Sequence, residues 1–238
     1  MIPRKIHYCW FGRGAMPQLA KDCIAGWHKL MPDWEYKLWD EEAFDIDAVP
    51  YTREAYQAGK YAFVSDYVRL VALEREGGVY MDVDFEVYKP FDDLLFHHAF
   101  AGFEGSKHQP VMMGVCASEP HGEWVNQMLE AYKDRHFILD GKPDLTTNVQ
   151  FVTSIMTANG FRQDGTEQDY KDLHVFPVDY FSPRQTTGEY FRTENTYCEH
   201  KGVSSWADQE KGWKRILRRV LGQRTMIRLI KLKRKLLG

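Results

Sequence analysis

The chain lacks a long apolar run. No stretch of its 238 residues approaches the roughly 18 apolar residues of a bilayer-spanning helix, so no membrane span is expected. The opening residues, MIPRKIHYCWFG, have no apolar h-region, and no signal peptide is expected either. Cysteine is scarce. Cys9, Cys23, Cys116 and Cys198 stand far apart with no C-x-x-C pair, which argues against a zinc cluster or a disulfide framework and for reduced thiols in the cytoplasm. There is no internal repeat, no low-complexity segment and no clear linker before about residue 208. Acidic residues are missing from one region: residues 211–238 hold 11 Lys/Arg and no Asp or Glu. The rest of the chain therefore sets its 20 basic residues against all 34 acidic ones, a net charge of −14 hidden in an overall −3.

What is present reads as alternating strands and helices. KIHYCWF (5–11) and EYKLWD (35–40) have strand character, and residues 17–30 look helical between Pro17 and Pro32. YAFVSDYVRLVALERE (61–76) carries apolar residues at 64, 67, 68 and 71, the spacing of a helix face, and Gly77–Gly78 supply its stop. VYMDVDFEV (79–87) and VMMGVCA (111–117) read as strands, 121–135 and 148–159 as helices. The alternation predicts an α/β fold with a mostly parallel sheet covered on both faces. The expected domains are a globular 1–207 and a basic amphipathic tail, 208–238.

The chemistry concentrates at Asp82-Val83-Asp84. In an extended strand two residues at i and i+2 point to one side, and close carboxylates repel unless a cation or proton lies between them. Ligands of open α/β sheets bind beyond the carboxyl ends of the strands. Magnesium or manganese, shared with substrate phosphate, would satisfy such a pair. A lone D-x-D is more often a solvated acidic edge. Here Asp66 and Arg69 stand three apart on the preceding helix, which also fits an ordinary ion pair. Tyr8 and Trp10 end the first strand, where they suit either core packing or a platform for a flat base. His200, Ser205 and Trp206 close the globular part.

Taken together, IPRKIHYCWFG, AFVSDYVRLVALEREGGVYMDVDFEV, DLTTN and TENTYCEHKGVSSW resemble the DXD-containing sugar transferases of glycosyltransferase family 32, in order from residue 2 to about 206. The resemblance implies a GT-A fold, a UDP- or GDP-linked sugar donor and Mn²⁺ or Mg²⁺. It implies stacking of the base near Tyr8 on Trp10, and contacts of Asp66, Arg69, Tyr80 and Asn148 with the donor. Asp84 would bind the metal directly, Asp82 the ribose or the metal through water. His200 is a candidate metal ligand by type, although the corresponding ligand in related toxins is an acid. Ser205 and Trp206 would lie near the diphosphate, Trp206 assisting its departure. Retention of anomeric configuration and a role in capsular or exopolysaccharide synthesis are further implications, with a glycan or lipid-linked acceptor and no nucleic acid as partner.

Three other readings compete. A haloacid-dehalogenase-like phosphohydrolase also uses D-x-D, but wants Thr or Val where this chain has Glu86, and wants the motif on its first strand. A calcium loop would need Gly where Val87 stands. A non-catalytic membrane adaptor would leave Asp66, Arg69, Asp82 and Asp84 unexplained. The tail itself places Trp213, Ile216, Leu217, Val220 and Leu221 at helical spacing beside Lys214, Arg215, Arg218 and Arg219. That pattern suits a helix lying in an anionic membrane interface, with the enzyme peripheral on the inner face of the cell membrane.

Overall fold

The computed structural model describes residues 1–105, 111–184, 190 and 192–202, all within one compact unit, Met1–Val203. Ser205, Trp206 and the basic tail lie outside the described residues. In chain order the elements are β1 (Lys5–Cys9), α1 (Gln18–Leu30), β2 (Glu35–Trp39), α2 (Pro50–Gln57), α3 (Tyr61–Glu76), β3 (Gly78–Met81), β4 (Phe85–Val87), β5 (Ala99–Gly102) and β6 (Val115–Ser118). They continue with α4 (Glu123–Tyr132), β7 (Ile138–Leu139), β8 (Lys142–Pro143), α5 (Asn148–Ala158), β9 (Gln168–Tyr170), β10 (Leu173–Phe176), α6 (Val178–Phe181) and β11 (Cys198–His200).

Seven strands form the central sheet in the order β2-β1-β3-β6-β5-β10-β9. Five run the same way. β6 is antiparallel to both β3 and β5, and β9 to β10. The alternation of side chains along each strand feeds two cores. Tyr80, Cys116, Leu173 and Val175 join the core built with α2, α3, α4 and α5. Val79, Met81, Val115, Ala117 and Phe176 join the other, with Trp27 of α1 and Phe181 of α6. Burial on both faces explains why GVYM reads as a continuous apolar run rather than as alternation.

Two predicted strands are shorter than expected. Residues 79–87 are not one strand: β3 stops at Met81, the chain turns through Asp82, and β4 pairs with β11 in a separate sheet. The Phe85 N–H donates to the Asp82 carbonyl at 3.2 Å, closing the turn. Residues 111–117 likewise yield β6 only from Val115, with Val111 in an isolated bridge to Phe103. The stop of α3 is as expected. Gly77 and Gly78 have φ of 61° and 103°, and a Cβ on either would lie 2.6 Å from Pro120 or from the Lys5 carbonyl. Only glycine serves there.

His7 fastens this glycine turn to the sheet. It is fully buried, accepts from Trp39 Nε1 on Nδ1 at 2.9 Å, and lies 2.8 Å from the Gly77 carbonyl through Nε2. The indole can only donate, so the neutral Nε2–H tautomer is the one that satisfies both partners. Burial pushes its pKa down to about 4, so the unfolded chain binds this proton more readily than the folded one. The contribution is complete above the unfolded pKa of 6.5 and is lost as pH falls toward 4. Replacing His7 by Gln is therefore expected to remove about 2 kcal/mol of the stability difference between pH 7 and pH 5. Parallel denaturation curves of the two proteins across that range would refute the assignment.

Candidate donor and metal site

The site forms because helix and strand lengths match. From Gly77 back to Arg69 is about 12 Å of helix at 1.5 Å per residue. From Gly78 forward to Asp82 is about 13 Å of strand at 3.3 Å per residue. The hairpin-like return thus brings Asp82 level with Arg69. Arg69 Nη2 lies 2.8 Å from Asp66 Oδ1 and 3.5 Å from Asp82 Oδ1, Nη1 donates to the Met113 carbonyl at 2.5 Å, and Nε donates to the Ser65 carbonyl at 3.2 Å. The guanidinium also sits 4.6 Å from the Tyr80 ring centroid, and the Tyr80 hydroxyl donates to Asp82 Oδ1 at 2.7 Å. Asp66, Arg69, Tyr80 and Asp82 are therefore one connected group.

Its electrostatics follow from burial and crowding. Burial opposes the charge on Arg69, but Asp82, Tyr80 and Asp66 more than offset it and hold the guanidinium cationic. Burial pushes the Asp66 carboxyl up to about 6, against the pull of Arg69, and the charge of Asp82 adds to the rise. Gly114 completes the corner. Its carbonyl accepts the Asp82 N–H at 2.8 Å, and a Cβ there would meet Phe85 at 2.8 Å and Asp82 Oδ2 at 3.0 Å.

Asp84 is paired with the far end of the described chain. Its Oδ2 pairs with His200 Nε2 at 3.0 Å, and its carbonyl accepts the Lys201 N–H at 2.9 Å. Pairing of β4 with β11 sets this contact by aligning Phe85 with His200, whose rings stack at 4.9 Å. Burial alone would lower the His200 pKa; the hydrogen bond and charge of Asp84 reverse that, and the pKa is raised. Among the described residues no group of three or more His, Cys, Asp and Glu is arranged to hold a metal ion. The donor set still fits magnesium or manganese in kind. Such ions take one or two carboxylates and fill the remaining positions with water and substrate phosphate. Asp84 and the more open Asp82, with a side chain 33% exposed, are carboxylates of that type.

The remaining predicted residues are distributed around this group. Trp10 follows β1, half-buried, its indole N–H donating to the Gly14 carbonyl at 2.6 Å. Tyr8 packs edge-on against Trp27 at 5.9 Å, and Trp27 in turn donates to the Phe85 carbonyl at 2.8 Å. Asn148 begins α5, 4% exposed, close enough to Asp66 to favour its charged form. Ser205 and Trp206 fall outside the described residues. Three participants escaped the sequence reading: Met113 through its carbonyl, Gly114 through its missing side chain, and Glu104. Glu104 follows β5 at the same strand end. Burial pushes its carboxyl up to about 7, only partly opposed by His200, with Asp82 adding to the rise. An acid two residues past a buried strand was the available sign.

A GT-A-type sheet with a D-x-D turn at a strand end defines the class. Residues 17–101 match the family model of the glycosyltransferase sugar-binding region containing the DXD motif. Curated relatives include glucan organizing enzyme 1 of Cryptococcus neoformans, 31% identical over 31% of this chain and 22% of that protein. Inositol phosphoceramide mannosyltransferase 3 of Schizosaccharomyces pombe is 32% identical over 42% of this chain and 29% of its own length. The chain thus spans under a third of either relative. In fold it is similar to the PaToxG glycosyltransferase, with a TM-score of 0.54 and 17% identity over 67% of this chain and 70% of that one.

Arg69 is the group whose loss leaves most undone. Arg69→Ala would strand two carboxylates and a carbonyl, and breaking a buried pair from one side typically costs about 3–5 kcal/mol. Urea denaturation is expected to report a loss of that size. A change below about 1 kcal/mol would mean that the guanidinium is not the tie between α3 and the Asp82 turn.

Proposed function

We propose that the chain transfers a hexose from a nucleotide sugar to a saccharide or lipid-linked acceptor, with divalent metal and with retention of configuration, in polysaccharide synthesis. The observation that carries the reading is the Asp66–Arg69–Asp82 group beside Asp84 at the carboxyl end of β3. The family match and the mannosyltransferase named among the relatives support sugar transfer, with mannose among the candidate hexoses alongside glucose, galactose and N-acetylhexosamine. Neither the phosphohydrolase nor the adaptor reading accounts for that match.

In this reading Trp10 offers a face to the base and Tyr8 lies beneath it. Asp66 accepts from a hydroxyl of the donor sugar, while Arg69 fixes Asp66 and donates toward the sugar's oxygens. Asp82, oriented by Tyr80, contacts the ribose. Asp84 and Asp82 would hold Mn²⁺ or Mg²⁺, with His200 at the side. Such an ion supplies Lewis-acid stabilisation of the departing diphosphate. The anomeric carbon becomes oxocarbenium-like as that bond breaks. The acceptor is taken to enter on the face that the diphosphate leaves, without a covalent carboxylate intermediate, and Ser205 and Trp206 are assigned to the diphosphate side. Asp84→Asn is expected to lower manganese-dependent turnover of the donor at least 100-fold, about 2.7 kcal/mol in the barrier, with an unchanged melting temperature. Turnover near wild type in that variant would overturn the assignment of the metal to the D-x-D pair.

The basic tail, 208–238, is assigned to an anionic membrane surface, making the enzyme peripheral on the cytoplasmic face of the cell membrane. Each Lys or Arg near such a surface contributes about 1 kcal/mol, reduced by salt. Among the described residues no helix is long and apolar enough to cross a membrane. The full chain is expected to sediment with phosphatidylserine-containing liposomes at low salt, and a truncation after Asp208 to stay in solution. Equal pelleting of the two would remove the tail from this role.

A further inference from the structure

Trp10 stands on a loop rather than on a strand. Residues 10–14 leave β1 at the rim where the D-x-D turn leaves β3. The register of β1 against β3 pairs Ile6 with Val79 and His7 with Tyr80, and continued for three residues it sets Trp10 level with Val83. Within the loop the Trp10 indole is tied to the Gly14 carbonyl, and the Trp10 N–H donates to the Trp39 carbonyl at 2.9 Å. Gly12 and Arg13 both have positive φ, 96° and 56°. Arginine seldom adopts that conformation unless its surroundings impose it.

What holds the loop comes from other elements. Glu41 follows β2 in a turn that Asp40 shapes, its Oδ1 accepting the N–H groups of Glu42 and Ala43 at 3.0 and 3.1 Å. From that turn Glu41 Oε1 accepts the Gly12 N–H at 2.6 Å and the Tyr56 hydroxyl of α2 at 2.8 Å. The Tyr56 ring packs at 5.2 Å on that of Tyr61, the first residue of α3. The Tyr61 ring lies so close to Gly12 that a Cβ there would collide with it. The middle of the loop is thus held by a carboxylate at its N–H and by a ring against its Cα. The other contact, Arg13 with Glu42 at 3.3 Å, is exposed on both partners and adds little. Burial opposes the charge of Glu41, but the Gly12 N–H and the Tyr56 hydroxyl help to outweigh it, and its pKa is lowered.

We propose that Glu41 is a positioning residue for the nucleotide base: through the Gly12 N–H, with Tyr56 and Tyr61 as its partners, it fixes residues 10–14 so that the face of Trp10 is set before the donor arrives. The role rests on the reading that Trp10 stacks on the base. A platform on an unheld loop is in place only part of the time, and the apparent dissociation constant then rises as the inverse of the competent fraction. Holding the loop in advance removes that cost from binding. The role needs an oxygen acceptor rather than a charge. A single oxygen, Oε1, takes both donors, and the amide oxygen of glutamine has the two lone pairs to do the same.

The test uses the full chain labelled with 5-fluorotryptophan, the Trp10 signal being assigned through Trp10→Phe, together with calorimetry. In Glu41→Ala the ¹⁹F signal of Trp10 is expected to shift or broaden. The dissociation constant of whichever of UDP and GDP the wild type binds, with manganese present, is expected to rise about tenfold, the value for a loop competent about one-tenth of the time. Pyrophosphate with manganese has no base and is expected to bind Glu41→Ala as it binds the wild type. Glu41→Gln is expected to restore both the signal and the nucleotide binding. An unmoved Trp10 signal in Glu41→Ala would overturn the proposal. So would equal weakening of pyrophosphate and nucleotide, or a Glu41→Gln variant that behaves like Glu41→Ala. Trp10→Ala judges the stacking itself. Weakened nucleotide binding there, beside unchanged binding in Glu41→Ala, would overturn the positioning role alone. Undiminished binding in Trp10→Ala would remove base stacking, and the role of Glu41 with it.

Discussion

The site depends on one buried cation. Arg69, 5% exposed, is the meeting point of α3, of the turn that follows β3 and of the segment that leads into β6. A guanidinium in a dry interior is unfavourable unless all its donors are occupied, and here Ser65, Asp66, Asp82 and Met113 occupy them. The same contacts align the chemistry. A planar, rigid fork dictates where two carboxylates and a carbonyl stand, which a flexible lysine would not do.

Around Arg69 several carboxylates draw on few cations among the described residues. Asp66 and Asp82 share one cation, Asp84 leans on His200, and Glu104 stands near enough to add to the negative field. Close carboxylates in this state favour the arrival of a further cation. Stability and function pull against each other here. The rise of the Asp66 pKa to about 6 and that of Glu104 to about 7 measure how strongly burial resists the charges that a donor site requires.

The support of this site extends across the sheet. His7 ties the Gly77 carbonyl to β1 and, through Trp39, to β2, so the glycine turn that sends β3 back along α3 is held from below. On the other side, pairing of β4 with β11 brings His200 to Asp84 across 116 residues of chain. Clamps of this kind hold the geometry of the candidate site in advance, the preorganisation that a transferase site would need.

The sequence by itself determined α3 to the residue, because its apolar spacing and the glycine pair are local signals, and its resemblance to the DXD-containing transferases pointed to Asp66, Arg69, Tyr80 and Asp82, which the contiguous helix, turn and strand bring into one group. It also carried the α/β class, through the alternation of elements. It did not disclose the break between β3 and β4. VYMDVDFEV has unbroken strand propensity, and only the competing partners of its two halves, β6 and β11, decide that the chain must turn at Asp82. Nor could it disclose Gly114 or Met113, whose roles are a missing Cβ and a backbone carbonyl. Local propensity is written in neighbouring residues; electrostatic fields and close approaches exist only once distant segments are packed together.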